Sequence, residues 1–424
     1  MLFKIHKIEK YYIILFIAMM LDLGFFDLVN TSAINIVGIY YSDMVFLFCM
    51  SIVLWEIIKS KFKLKNFKGL LVIGGLILTA MLSSYSAEVS YHQGLLSGIV
   101  AQREWLSWVL MIYPLYKWYQ EKKITKRGLN TSILYVCRIY AVVCVLQYFL
   151  YDYIKFTYTI VSARYGSVRL YFNSAFFAYA IGIIIDRIFN EKYSFKQKVG
   201  GLIELIVYMF IIIFITKGRM ATIALLGSIA LCVCLRKNMK LGKKIFFILI
   251  VLAGIVVFSS TTMGQDIFAT IVGDSADTDT LSVRTAGRAY YIAKTFSSVR
   301  TAIFGYGVPN IHNNFAMQIA NPLWKMQGTA RFYLDDVGIT GILFKYGLFG
   351  VGVLLSITFI CLVKAYKIYR KNHKMVYLQF ILMDIITWSS LTPALFSTSI
   401  LMMIIITSIF YMDTGDKSRK KKEI

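Results

Sequence analysis

Residues 199–235 read VGGLIELIVYMFIIIFITKGRMATIALLGSIALCVCL. Two apolar runs, Val199–Thr216 and Met220–Leu235, flank the basic turn Lys217–Gly218–Arg219. Each run is close to the length at which a helix crosses about 30 Å of hydrocarbon. A membrane β-strand would alternate polar and apolar residues over about ten positions, and these runs do not alternate. The pattern predicts an all-α polytopic membrane protein.

Working outward, the same reading gives about twelve spans: Tyr11–Leu28, Ile36–Ile57, Phe67–Ser84, Leu95–Leu115, Leu129–Leu150, Leu170–Ile188, Val199–Thr216, Met220–Leu235, Ile245–Ser260, Val337–Leu362, Val376–Leu391 and Pro393–Tyr411. The chain is 58% hydrophobic, against about 45–50% in soluble domains. The basic start Met1–Lys10 precedes an apolar run without a small-residue cleavage site, which predicts a retained first helix. The expected organisation is nine spans over residues 1–258, a large loop with short helices over 259–336, three spans over 337–411 and a basic tail over 412–424.

Charge sets the expected sidedness. A formal net charge of +24 would suit a polyanion, but the basic residues fall in short clusters between apolar spans. That is the positive-inside signal rather than a nucleic-acid groove. With both termini cytoplasmic, 32 of the 46 lysines and arginines lie in cytoplasmic segments. Of the remaining fourteen, nine are arginine, against five of the 32. Lysine marks topology here, while arginine collects outside or within the membrane. Arginine's planar fork suits phosphate and carboxylate, so the outer surface reads as built for an anion. A pyrophosphate at the membrane surface is the expected ligand.

Particular residues carry this reading. Arg284 and Arg288 lie in SVRTAGRAYYIAKTFSSVR, helical after Ser282, and their i, i+4 spacing places both on one face. The alternative is a solvated face, or ion pairs to Asp277 and Asp279. Lys217 and Arg219 sit in a very short outer turn, with snorkelling as the alternative. Arg164 and Arg169 precede the sixth span, and Arg331 lies within the large loop. His312, in GYGVPNIHNNF, is the histidine placed to accept a proton from an attacking hydroxyl. Asp335 and Asp336 open the tenth span and read first as helix caps, with Asp336 the second candidate base.

Other groups read as structural. The Asp-x-Asp run in GDSADTDT is too short and flexible to predict a metal site, and no cofactor is expected. Arg138, Glu204 and Asp384 fall inside spans, where mutual ion pairing is the economical explanation. The six cysteines lie in or at the ends of apolar spans and read as small buried hydrophobes.

Three stretches resemble the O-antigen polymerase and ligase family, which includes the Wzy-type polysaccharide polymerases. TAGRAYYIAKTFSSVRTAIFGYG is similar to its pattern of an arginine, an amphipathic helix and a Gly-x-Gly turn. TKGRMA resembles its arginine turn, and DDVGITGILFKYGLFG the acidic-Gly start of its span after the large loop. The resemblance implies a lipid-donor, GT-C-like architecture in the bacterial cytoplasmic membrane. By position it implies that Arg219 and Arg288 contact a lipid-linked pyrophosphate, with Arg169 lining the same cavity. His312 resembles the ligase histidine, but more than twenty residues separate it here from the acidic-Gly start, which tilts the expectation toward a polymerase.

The implied activity is inverting, metal-independent glycosyl transfer joining undecaprenyl-pyrophosphate-linked oligosaccharide repeats into O-antigen, capsule or exopolysaccharide. Such oligosaccharides serve as both donor and acceptor, in membrane lipid, with a flippase and a chain-length regulator as further partners. The rival expectations are an O-antigen-ligase-type transferase and a lipid-linked oligosaccharide flippase or transporter. A non-catalytic scaffold would leave the arginine bias unexplained.

Overall fold

A computed structural model describes residues 10–36, 39–60, 69–164, 167–189, 193–236, 278–323, 331–396 and 399–420, with 242, 245 and 265 singly. The expected ninth span, the start of the large loop through Asp277, residues 324–330 and the end of the tail lie outside the described residues.

Helices dominate. The bundle comprises α1 (Lys10–Asp22), α2 (Tyr41–Lys59), α3 (Leu70–Tyr91), α4 (Leu95–Val100), α5 (Arg103–Leu110), α6 (Ile112–Gln120), α7 (Lys126–Leu150), α8 (Ser174–Ile188), α9 (Phe195–Phe210) and α10 (Arg219–Cys234). The large loop carries α11 (Thr278–Thr295), α12 (Val299–Phe304) and α13 (Asn314–Ala320). The chain then returns to the bundle as α14 (Ile339–Asn372), α15 (Val376–Thr387) and α16 (Ile400–Lys420). Each expected span except Ile245–Ser260 coincides with at least one helix. Among the described residues five helices are long and apolar enough to cross a membrane by length and composition, one of them α9 with its π-helical extension Ile211–Ile215.

Four spans differ from expectation. The run Leu95–Leu115 is broken into α4, α5 and α6. Gly98 packs on Ser84, and the Gln102 amide donates to Ala80 O, Ser84 Oγ and Gly98 O. Beyond that break Arg103 pairs with Asp43 at 2.9 Å. The first span stops at Asp22, followed by a turn in which Gly24 through Asp27 all take positive φ. Before α2 lies a short antiparallel hairpin, β1 (Asn35–Ile36) with β2 (Ile39–Tyr40). A second hairpin, β3 (Val161–Arg164) with β4 (Ser167–Leu170), precedes α8.

Alternate connections gather on two faces. On the lysine-rich face Lys117 meets Glu56 at 2.8 Å, and Asp186 accepts the amides of Met375 and Val376 at the start of α15. On the opposite face Tyr140 donates to Asp27 at 2.6 Å and Ser399 to Asp22 at 3.1 Å.

The large loop docks on that opposite face through a kink in α14. Gly347 leaves helical geometry (φ 64°, ψ −168°), which frees carbonyls one turn back. Tyr306 N donates to Phe344 O at 2.7 Å, and Ser83 Oγ to Lys345 O at 3.1 Å. The backbone of Gly305 comes so near that a Cβ there would lie 2.6 Å from Gly347 N. Serines of α3 complete the seat: Ser86 Oγ donates to Gly305 O, and Arg300 donates to Ser86 Oγ (2.7 Å) and Ser90 Oγ (3.0 Å).

Gly305→Ala is expected to loosen the loop by at least about 1–3 kcal/mol, because its φ of 76° with extended ψ is a conformation nearly confined to glycine. Limited trypsinolysis would then cut at Arg284, Arg288 and Lys294 well before the bundle melts. A cleavage rate equal to that of the unmutated protein would show that the seat does not hold the loop.

Candidate functional site

The arginine helix α11 is held by its docking face. Arg284, Gly287, Arg288 and Tyr291 recur at i, i+3, i+4 and i+7, so they share one side. Tyr291 is fully buried and donates to Ala320 O at 2.6 Å, while Gly287 lies against the Phe332 ring. The arginine pair is therefore turned toward the bundle rather than out on a solvated face.

Arg288 Nη2 donates to Ser389 O, just past the end of α15. The bond satisfies a carbonyl at a helix C-terminus, where a cation is also favoured by the dipole. Nε and Nη1 of Arg288 carry no hydrogen bond among the described residues. Arg284 Nη2 lies 3.9 Å from Asp336 Oδ2, an ionic contact too long for a hydrogen bond. The expected partners Asp277 and Asp279 have no described side chains.

Asp335 and Asp336 are not helix caps. The first amide of α14, Ile339 N, donates to Trp388 O at 2.8 Å, and the residue before it is Gly338 with a left-handed φ of 61°. Both acids lie in the short 3-10 turn Leu334–Val337 and face cations instead. Asp335 pairs with Lys345 at 2.6 Å and Asp336 with Arg284.

A second group of cations is built around the turn before α10. Arg169, on β4, donates through Nε to Thr216 O at 2.7 Å and through Nη1 to Tyr171 OH at 2.8 Å. Its guanidinium lies 3.9 Å from the centre of the Tyr171 ring. Lys217 is buried with a positive φ of 47°, and Arg219 is the first residue of α10. Arg164 ends β3 opposite Ser167; its side chain is outside the described residues.

The two groups meet the same end of one helix pair. α10 packs along α15, with Gly227 beside Ile386. At the far end Cys232 O accepts from Tyr369, close to where α15 begins. The pair is thus antiparallel, and Arg219 at the start of α10 shares a face with Ser389 past the end of α15.

His312 and Arg331 stand apart from these groups. His312 is exposed and stacks on Tyr40 at 5.5 Å, and Tyr40 in turn lies 5.8 Å from the Arg103 guanidinium. Its backbone amide donates to Asn310, which is tied to Ser97. Arg331 is exposed and pairs by backbone with Leu323. None of the described contacts joins either residue to Arg288. Sequence reasoning missed Tyr40, Arg103, and the carbonyls of Thr216 and Ser389. Backbone acceptors leave no mark in a sequence, but Arg103 inside an apolar run was a visible signal. Of the expected ion pairing among intramembrane charges, Arg138 meets Glu204 at 2.6 Å, while Asp384 accepts from Ala394 N.

Residues 205–355 match the family model described as O-antigen ligase. Over these residues the chain is similar to the O-antigen ligase family. The matched stretch contains Lys217, Arg219, Arg284, Arg288, His312, Arg331 and Asp336, and leaves out Arg164 and Arg169. No curated protein matches the chain. The match supports reading the chain as a membrane protein of glycan processing. The matched stretch spans the start of α10 and reaches into α14, and so includes Arg219 and the arginine helix α11.

The Lys345 ammonium, with help from Thr392, holds the Asp335 carboxyl below the usual carboxylate range. A group depressed in the folded state adds stability above its unfolded value, about 3.9, and loses it as pH falls through the folded value. Asp335 is largely exposed, so the contribution is small, about 0.2–1 kcal/mol. Hydrogen-exchange protection of amides 334–339 is expected to fall below about pH 4. Lys345→Met should flatten that dependence; an unchanged profile would assign it to another group.

Proposed function

We propose that the protein polymerises undecaprenyl-pyrophosphate-linked oligosaccharide repeats at the outer face of the bacterial cytoplasmic membrane. The observation that carries this reading is the seating of Arg288. One guanidinium nitrogen is fixed by the neutral Ser389 O, while Nε and Nη1 carry no hydrogen bond among the described residues.

In the reaction, an acceptor hydroxyl attacks the anomeric carbon of the donor sugar with inversion. The bond from that carbon to the pyrophosphate oxygen breaks, and the electron pair leaves with the pyrophosphate. Arg288 and Arg219 stabilise the charge that builds there, with Arg169 and Lys217 behind them. Positioned arginines meet this need without a metal. Asp336 is the better-placed base, because Arg284 ties it to the helix that bears Arg288. His312, stacked on Tyr40 beside Arg103, lies with α2 and α5 and serves the acceptor glycan. Arg164, on the hairpin that carries Arg169, extends this basic group, and Arg331, which stands apart from it, meets the glycan.

The test is chain elongation by purified protein in lipid, supplied with lipid-linked repeat units alone. A ladder of longer glycans is expected. Arg288→Ala and Arg219→Ala should each lower its rate by about 10²–10³ with the thermal midpoint unchanged. Arg288→Lys should recover little, since one ammonium does not replace a fork. Unchanged ladders in both alanine variants would remove the pyrophosphate role.

The base assignment is tested separately. Asp336→Asn is expected to slow elongation by about 10²–10⁴ and His312→Ala by much less; the reverse order would move the base to His312. A ligase-type transfer is the second reading, favoured by the description of the matched family. It predicts no ladder from repeat units alone and product only when a different lipid-borne acceptor is added.

A further inference from the structure

Arg138 and Glu204 form a 2.6 Å ion pair between the middles of α7 and α9. Arg138 is twelve residues into α7, about 18 Å along its axis, and Glu204 nine into α9, about 13–14 Å. Both helices start on the lysine-rich face, so the pair lies deep within about 30 Å of hydrocarbon. It is nonetheless poorly enclosed, with side chains 42% and 23% exposed. Around it Ile139, Val142 and Leu146 on α7 and Ile203 and Ile206 on α9 present an apolar face. Nε and Nη1 of Arg138 carry no hydrogen bond among the described residues; Glu204 Oε2 has none either but is enclosed by the chain, so the more exposed arginine fork is the part of the pair open to a partner.

Charged side chains in spans face protein or water rather than lipid, so this face calls for a cover. A surface carrying one cation and one anion is self-complementary under a two-fold axis, where each Arg138 can meet the other copy's Glu204. We propose that the α7–α9 face is the interface of a homodimer in the membrane, with the Arg138–Glu204 pairs of the two copies joined into a four-charge network. The proposal is independent of the reaction assigned above.

The full-length chain is tested in lipid with Cys234→Ser as background, because Cys234 is exposed while the other five cysteines are buried. Val142→Cys or Ile139→Cys, oxidised with copper phenanthroline, is expected to give a cross-linked dimer. Arg138→Glu places four acids in the network and Glu204→Arg four cations, so either should lower the dimer yield by about tenfold or more. Co-expressing the two single variants pairs an all-acidic copy with an all-cationic one and should restore the cross-link between differently tagged chains. The double swap R138E/E204R should dimerise with itself.

Recovery on mixing cannot arise from a pair that works only inside one chain. A monomer at every protein-to-lipid ratio in the otherwise unmutated background would overturn the proposal. So would a dimer indifferent to both charge reversals. The cysteine variants decide the question even where a charge reversal prevents insertion.

Discussion

The contact between Gly305 and Gly347 sets the geometry of the face that bears the candidate site. A helix broken at Gly347 leaves carbonyls without their usual amide partners, and such groups are costly when buried. Tyr306 N and Ser83 Oγ supply the missing donors at Phe344 O and Lys345 O. The loop can reach those carbonyls only because neither glycine carries a side chain at the crossing. The kink and the docked loop therefore require each other: an undocked loop would leave the kink unsatisfied, and a straight α14 would offer the loop no acceptors.

Everything the loop presents follows from that seat. The ring of Tyr306 stacks on Phe344 at 4.9 Å, and Tyr291 of α11 packs on the same ring at 5.0 Å. This fixes the rotation of α11 about its axis and brings Arg288 to the C-terminal end of α15. Consecutive carbonyls there do two tasks, since Trp388 O receives the first amide of α14 and Ser389 O receives Arg288. A shift in the α14–α15 contact would move the arginine with it. The site is thus positioned by backbone at least as much as by side chains.

Much of this architecture was legible in the sequence, and the parts that were not have a common cause. Apolar length and lysine clusters located the helices because hydrocarbon imposes both. The i, i+4 arginines of α11 were also legible. The broken fourth span was not, although Arg103 and Glu104 stood in the run, because the break depends on Gln102 capping carbonyls of α3 and α4. Ser83 lies at the end of the expected span Phe67–Ser84 and Ser86 and Ser90 just beyond it, and their helical spacing makes a polar stripe whose partner is distant in sequence. Asp335 and Asp336 were misread as caps because acids at a helix start suit both the dipole and nearby cations. Only the position of Trp388 O decides between these roles, and that lies some fifty residues away in sequence.

The arginine bias also has to be divided. Arg103 faces Asp43, Arg138 faces Glu204 and Arg284 faces Asp336, so each sits beside a carboxylate that cancels much of its charge. Arg300 is bonded to serines and holds the loop. Arg288 differs because its described partner is a neutral carbonyl, which orients the fork without neutralising it. A bound anion gains more from a cation whose charge is still uncompensated, as Coulomb attraction at the surface is modest and easily offset by a competing carboxylate. Arg284, by contrast, already has the Asp336 carboxylate beside it. The excess of arginine over lysine therefore divides by partner atom, into arginines set against carboxylates or hydroxyls and Arg288, set against a backbone carbonyl.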